Sequence, residues 1–176
     1  GVMTTDDDQI DETLRMIRTH GEKAKYASLI LGSNYRMSEL QATIGNVQLQ
    51  KVSSFISKRR QNAIKLTKIL KPSEKLVLPY ETTDRLHSWY LYTVRIKDFS
   101  EGQRNNLIGE LKKNGIGAEA YYVNPVHLMP FYRENFKSVP LPETVKASKQ
   151  VVSLPIHPGV SEEETNFIGE TFLSLL

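Results

Sequence analysis

From Leu86 to the end of the chain, the apolar residues switch back and forth between the two-residue period of a strand and the 3.6-residue period of a helix. Leu86 to Lys97 is dense in aromatic and β-branched residues and predicts a strand. Glu101 to Asn114 predicts a helix with Leu107, Ile108 and Leu111 inside, stopped by Gly115. Ile116 to Val123 predicts a second strand. Asn124 to Pro142 carries Pro125, Pro130, Pro140 and Pro142 and reads as an ordered loop with one helical turn. Thr144 to Lys149 follows as a short helix and Val151 to Ile156 as a third strand. Ser161 with Glu164 forms a capping box for a final helix, whose inner face would be Phe167, Ile168, Phe172 and Leu175. A chain patterned this way folds as an α/β unit, a small sheet covered by helices, over residues 86–176.

The residues ahead of Leu86 have a different character. Gly1 to Thr5 reads as the end of a strand. Asp6, Asp7 and Asp8 then open a helix carrying Ile10, Leu14 and Ile17, and Arg15, Arg18 and His20 close it, as the helix dipole favours. Gly21 suits the position after the C-cap. Residues 22–36 have no clean period and read as a loop. A further helix starts near Ser38, with Gln41 placed for a capping box. Its first apolar stripe is Leu40, Ile44 and Val47. A second is Val52, Phe55, Ile56, Ala63, Leu66 and Leu70, ended by Lys71-Pro72. The stripes fit one long bent helix or two helices broken near residue 50.

Charge and composition narrow the function. The formal charge is +3 over 176 residues, and Lys58-Arg59-Arg60 is the only basic triplet. That is no basic stripe for nucleic acid, so none is expected as a partner, and the triplet reads as a solvated helix face. With no cysteine, disulfides, thiolate metal sites and a Cys nucleophile are excluded, which suits a cytoplasmic setting. No apolar run reaches the length of a membrane span, and no membrane partner is expected. The first residue is Gly1 rather than Met, and the chain is expected to be a piece of a longer protein. His20 and His87 stand alone, while His127 and His157 sit beside prolines. No histidine or acid pair has metal-binding spacing.

The stretch most suggestive of chemistry is Leu31-Gly32-Ser33-Asn34-Tyr35-Arg36-Met37-Ser38-Glu39-Leu40-Gln41-Ala42. A polar loop holding Asn34 and Arg36 runs straight into a helix start, where backbone N–H groups attract anions and an arginine adds a charge-assisted contact. Two readings stand open on the residues alone. Asn34 and Arg36 bind an anion, or Asn34 makes an Asx turn while Arg36 pairs with a surface acid.

This stretch resembles the G-x-N-Y-R-M-S-E-L-Q-A-A motif of the DegT/StrS-type nucleotide-sugar aminotransferases, with Thr43 where a second alanine is usual. Other segments of the family recur in order. Gly1 to Asp7 resembles the strand and turn after its lysine loop. Leu14-Arg15 through His20-Gly21 resembles L-R-x-x-R-x-H-G, and Gln48-Leu49 and Arg59-Arg60 match positions of its long helix. Tyr121 to Pro130 resembles Y-Y-x-x-P-x-H-L-x-P, and Ser153 to Ser161 resembles S-L-P-I-x-P-x-L-S.

The resemblance implies the C-terminal portion of a fold type I (aspartate-aminotransferase-like) pyridoxal-phosphate enzyme. Residues 1–50 would be the tail of the large cofactor domain, 51–85 the connecting helix and linker, and 86–176 the small C-terminal α/β domain. The implied reaction moves an amino group from an amino acid, glutamate by the usual pattern, to a nucleotide-linked keto-sugar. The implied assembly is a homodimer with active sites at the subunit interface. Asn34 and Arg36 would face the cofactor phosphate of the neighbouring subunit, and Tyr122 and His127 would contribute to the substrate pocket. The cofactor-carrying lysine, the ring-stacking aromatic and the aspartate for the pyridine nitrogen would all lie before Gly1, leaving no catalytic residue within the chain. A sugar dehydratase of the same family and a non-catalytic regulatory or interaction module are the alternative functions.

Overall fold

The computed structural model describes residues 1–137 and 139–176. The chain divides into two compact units, Gly1–Lys51 and Val52–Leu176.

In the first unit, Gly1 to Thr5 forms no strand, correcting the sequence expectation. Helix α1 spans Asp8–Arg18 and is capped by Asp7, whose carboxylate accepts the backbone N–H groups of Gln9 (2.8 Å) and Ile10 (3.0 Å). The C-cap is Thr19, so the residue directly after it is His20, at φ 55°, and Gly21 stands one place later than expected with a left-handed φ of 74°. Residues 22–36 are more ordered than expected. Strands β1 (Glu22–Ala24) and β2 (Ala27–Ser28) form a short antiparallel hairpin across Lys25-Tyr26. Its turn has Tyr26 at φ 65° in place of a turn glycine or asparagine, so the usual hairpin signal is missing from the sequence. The two apolar stripes belong to one helix, α2, over the 32 residues Glu39–Leu70. Ser38 and Gln41 form the expected reciprocal cap, at 3.1 and 3.3 Å. None of the buried core residues lies in the first unit. Leu14, Met16 and Ile17 of α1 are half-buried, and other large apolar side chains, including Leu31, Leu40, Ile44 and Val47, are exposed.

The second unit holds the core. Strand β3 (Leu76–Val77) pairs antiparallel with β4 (Tyr92–Ile96), which pairs antiparallel with β5 (Val151–Leu154). Tyr92, Val94 and Ile96 alternate inward as the strand period dictates. They pack with Leu66 and Leu70 of α2, Leu107 and Leu111 of α3 (Glu101–Lys113), and Ile168 and Phe172 of α6 (Glu162–Ser174). A 3₁₀ turn at Val126–Leu128, α4 (Pro130–Asn135) and α5 (Pro142–Gln150) complete the unit. The mixed α/β class with a small helix-covered sheet is as expected.

The strand order is not. Ile116 to Val123 forms no strand, because the Ala118 N–H turns back onto the Ile116 carbonyl at 2.8 Å. Only a single bridge from Glu119 to Ser153 remains, and Leu76–Val77 takes the third place in the sheet. Leu86 to Tyr90 also stays outside the sheet. Trp89 sits at φ 51°, which breaks the extended path, and the Arg59 guanidinium donates to the carbonyls of Trp89 (3.2 Å) and Tyr90 (2.9 Å). On α6 the inner face is Thr165, Ile168, Gly169 and Phe172, while Phe167 is 51% exposed. The spacing of four and three that buries 165, 168, 169 and 172 leaves position 167 on another side of the helix.

One ion pair in this unit gives a pH prediction. Arg60 grips Glu81 with two guanidinium nitrogens, and Glu81 also accepts the His87 backbone N–H. These contacts hold the Glu81 carboxyl down from its ordinary 4.5 to about 2. A depressed carboxylate stabilises the fold above its unfolded pKa and loses that contribution as pH falls through the folded one. Glu81 should therefore contribute to an acid loss of stability between pH 4.5 and about 2. In Glu81→Gln that limb should be shallower in urea unfolding followed against pH. An identical acid limb in the two proteins would remove Glu81 from the balance.

Candidate cofactor- and substrate-binding residues

The Asn34 loop is built on the end of α1. A helix leaves its last carbonyls without intrahelical partners. Here Met16 O takes the N–H groups of Thr19 (2.9 Å) and Gly21 (2.8 Å). Ile17 O takes the N–H of Ser33 (3.0 Å), and Arg18 O that of Tyr35 (3.0 Å). Asn34 lies between those two donors and forms an antiparallel bridge with Thr19. The hairpin adds Leu29 N–H to Gly21 O at 2.8 Å and the Ser28 hydroxyl to His20 O at 2.9 Å. Two glycines let the strands of chain approach. A Cβ on Gly21 would stand 1.7 Å from the Ile30 carbonyl oxygen, and one on Gly32 would stand 2.1 Å from the Gly21 nitrogen.

The Asn34 side chain uses its oxygen weakly, accepting the Arg36 N–H at 3.4 Å. That is the Asx-type contact, and it leaves both hydrogens of the amide nitrogen available. Arg36 is exposed and forms no ion pair among the described residues, so its expected surface acid is not found. Two residues further on, Ser38 opens α2.

Tyr122 and His127 fall in the other unit, on the loop between Gly115 and α4. Tyr122 is 70% exposed and meets Tyr121 edge to face, with centroids 5.5 Å apart. His127 is half-buried on the 3₁₀ turn, and two hollows of about 520 and 400 Å³ flank it. Leu141 lines both hollows beside His127, and Lys146, Lys149 and Lys137 add positive charge. Tyr122 lines neither. No group of His, Cys, Asp or Glu suited to a metal occurs among the described residues. No helix among them is long and apolar enough to cross a membrane.

The pattern of the DegT/DnrJ/EryC1/StrS aminotransferase family matches residues 1–173. The chain belongs to that family. It is 35% identical over 173 residues to a pleiotropic regulatory protein of Geobacillus stearothermophilus, with 97% of this chain and 45% of that protein covered. It is 33% identical over 171 residues to a dTDP-3-amino-3,6-dideoxy-alpha-D-galactopyranose transaminase of Aneurinibacillus thermoaerophilus, again covering 97% and 45%. Among solved structures it superimposes on S. venezuelae DesV in complex with a ketimine intermediate, with a TM-score of 0.84 and 28% identity, over 95% of this chain and 44% of that one. The chain thus spans somewhat less than half the length of the curated relatives it matches. Its fold is that of the C-terminal portion of fold type I transferases, and the aminotransferases of this family depend on pyridoxal phosphate.

The residues of the Asn34 loop fit the phosphate end of that cofactor. They offer an unused amide N–H₂ and an unpaired guanidinium beside a helix start, a set of donors suited to a dianion. Sequence reasoning missed the backbone of Ser33 and Tyr35 and the contact of Gly21 with Gly32. The one available signal was the pairing of His20-Gly21 with Leu31-Gly32, two glycines bracketing a segment without a period.

Proposed function

We propose that this chain is part of a pyridoxal-phosphate-dependent aminotransferase that passes an amino group from an amino acid, glutamate in the simplest case, to a nucleotide-linked keto-sugar. The observation that carries the reading is the family match across residues 1–173, supported by transaminases of dTDP-linked sugars among the relatives. In this reading residues 1–50 belong to the large cofactor domain, 51–85 connect, and 86–176 form the small domain. The lysine that holds the cofactor precedes Gly1.

When bound, pyridoxal phosphate supplies an electron sink for the bonds of the amine being transferred. The residues of this chain bind and orient. The Asn34 amide donates to the phosphate while its oxygen keeps the turn to Arg36. Arg36 balances the phosphate charge. Tyr122 and His127 contribute to the keto-sugar pocket, each from an ordered loop. The active enzyme is a homodimer in which Asn34 serves the neighbouring subunit's cofactor.

The test is a cofactor titration of the full-length apo-protein. Asn34→Ala is expected to weaken binding by about 1–2 kcal/mol, the scale of a hydrogen bond to a charged group. Asn34→Asp retains the turn-making oxygen but loses the donor and adds a like charge, so it should lose more. Melting temperatures without cofactor should not change in either. Unaltered affinity in both variants would return Asn34 to a turn-making role. The Geobacillus relative's name makes a regulator the second outcome to watch: a full-length protein with no cofactor absorbance would favour it.

The first unit also predicts self-association. Leu40, Ile44 and Val47 share one face of α2 and are between 44% and 72% exposed, and an apolar patch of this kind drives association. Sedimentation of the 176-residue chain should show species larger than a monomer. A monomer at high concentration would count against the reading.

A further inference from the structure

The geometry points to the last turn of α1 as a mould that holds Asn34 and Arg36 in place before any ligand arrives, with Gly21 and Gly32 as its positioning residues. This rests on the assignment of Asn34 to the cofactor phosphate made above. Helix ends are commonly closed by the residues that directly follow them. In α1 the carbonyls of Ile17 and Arg18 are closed instead by Ser33 and Tyr35, the immediate neighbours of Asn34. Both flanks of the functional asparagine are therefore tied to consecutive residues of a helix. The His20 N–H to Ser33 carbonyl bond, at 3.0 Å, adds a third tie beside Asn34 and sets it opposite Thr19.

The tie depends on backbone meeting backbone. The atoms that a Cβ would meet at 1.7 Å from Gly21 and 2.1 Å from Gly32 are main-chain atoms, which cannot swing aside as a side chain would. Any side chain at either position must push residues 30–33 away from residues 20–21. The hydrogen bonds to Ile17 and Arg18 come from Ser33 and Tyr35, one and three residues beyond Gly32, and would open with them. Asn34 would then reach the phosphate only after its loop had been ordered. Fixing a residue's backbone costs conformational entropy, and a preformed loop avoids that cost at the moment of binding.

Two measurements on the full-length protein test this. The first is amide hydrogen exchange without cofactor. The Ser33 and Tyr35 amides should exchange at least about tenfold more slowly than in a free chain. Free-chain rates would overturn the mould. The second is a double-mutant cycle read as pyridoxal-phosphate Kd well below the melting temperature. Gly32→Ala should raise Kd by about tenfold or more in the native background and by a clearly smaller factor in an Asn34→Ala background, where only its effect through Arg36 remains. Equal factors in both backgrounds, or a folded Gly32→Ala with native affinity, would overturn the inference. Gly45→Ala is the control, since nothing lies within 4 Å of a Cβ there, and its Kd should stay native. If Gly32→Ala does not fold, the exchange rates decide alone. If Asn34→Ala by itself leaves Kd unchanged, the phosphate assignment fails, and the exchange rates still judge the mould.

Discussion

Purified alone, the 176-residue chain is expected to transaminate no keto-sugar. The reaction needs an amine that carries the cofactor and moves a proton, and in the function proposed above that lysine precedes Gly1. The lysines near the Asn34 loop are otherwise engaged. Lys23 pairs with Glu12 at 2.6 Å, and Lys25 lies 5.1 Å from the centre of the Tyr26 ring. Both are exposed to solvent, and neither sits in a dry pocket. Enzymes of all kinds gain at least about 10⁶ over the uncatalysed reaction, and all of that should be missing. The assay is formation of 2-oxoglutarate from glutamate with a nucleotide-linked keto-sugar and added pyridoxal phosphate. The full-length protein serves as the positive control. Turnover by the short chain within a few orders of magnitude of that control would place the working lysine inside it.

Phe172→Ala is expected to destabilise the second unit by about 3–5 kcal/mol, the range for removing a buried aromatic. Phe172 is fully buried on α6, in the same core as Tyr92, Leu66 and Leu70. Truncation removes its transfer energy and leaves a cavity that the packed sheet and helices cannot fill. Domains of this size are stable by about 5–15 kcal/mol, so one such change consumes a large share. Phe167→Ala supplies the contrast. It lies on the same helix and is 51% exposed, so its loss should stay within about 1 kcal/mol. Urea midpoints should separate the two variants clearly, with similar m-values. Equal shifts would mean that α6 presents a different face to the core.

That contrast also shows where the sequence could be read and where it could not. Local signals fared well. Asp8–Arg18, Glu101–Lys113 and Glu162–Ser174 are helices, the last with the cap expected of Ser161, and Gly115 has the left-handed φ of a helix stop. Each of those features depends on residues within a turn of one another. Partner choice at long range was not legible. Ile116 to Val123 has strand composition, yet a local turn at Ala118 takes it out of the ladder, and two residues at Leu76–Val77 were too short to register. Phe167 was misplaced because a four-residue apolar stripe with Thr165 and Gly169 in it looks weaker than one drawn through two phenylalanines. For the candidate site, a polar loop feeding a helix start was enough to single out Asn34 and Arg36. Tyr122 and His127 came from the resemblance alone. The ties from Ser33 and Tyr35 to Ile17 and Arg18 are made by backbone atoms, which every residue type shares, so no letter in the sequence announces them.

The seam between the two compact units falls at Lys51 and Val52, inside the unbroken helix α2. Unit boundaries elsewhere tend to fall in slack, glycine- or proline-rich connections that tolerate insertion. A helical seam has no such tolerance. One residue added or removed within α2 turns every later helical position by about 100° about the helix axis. A change in chain length should therefore be tolerated in the loops and not inside α2.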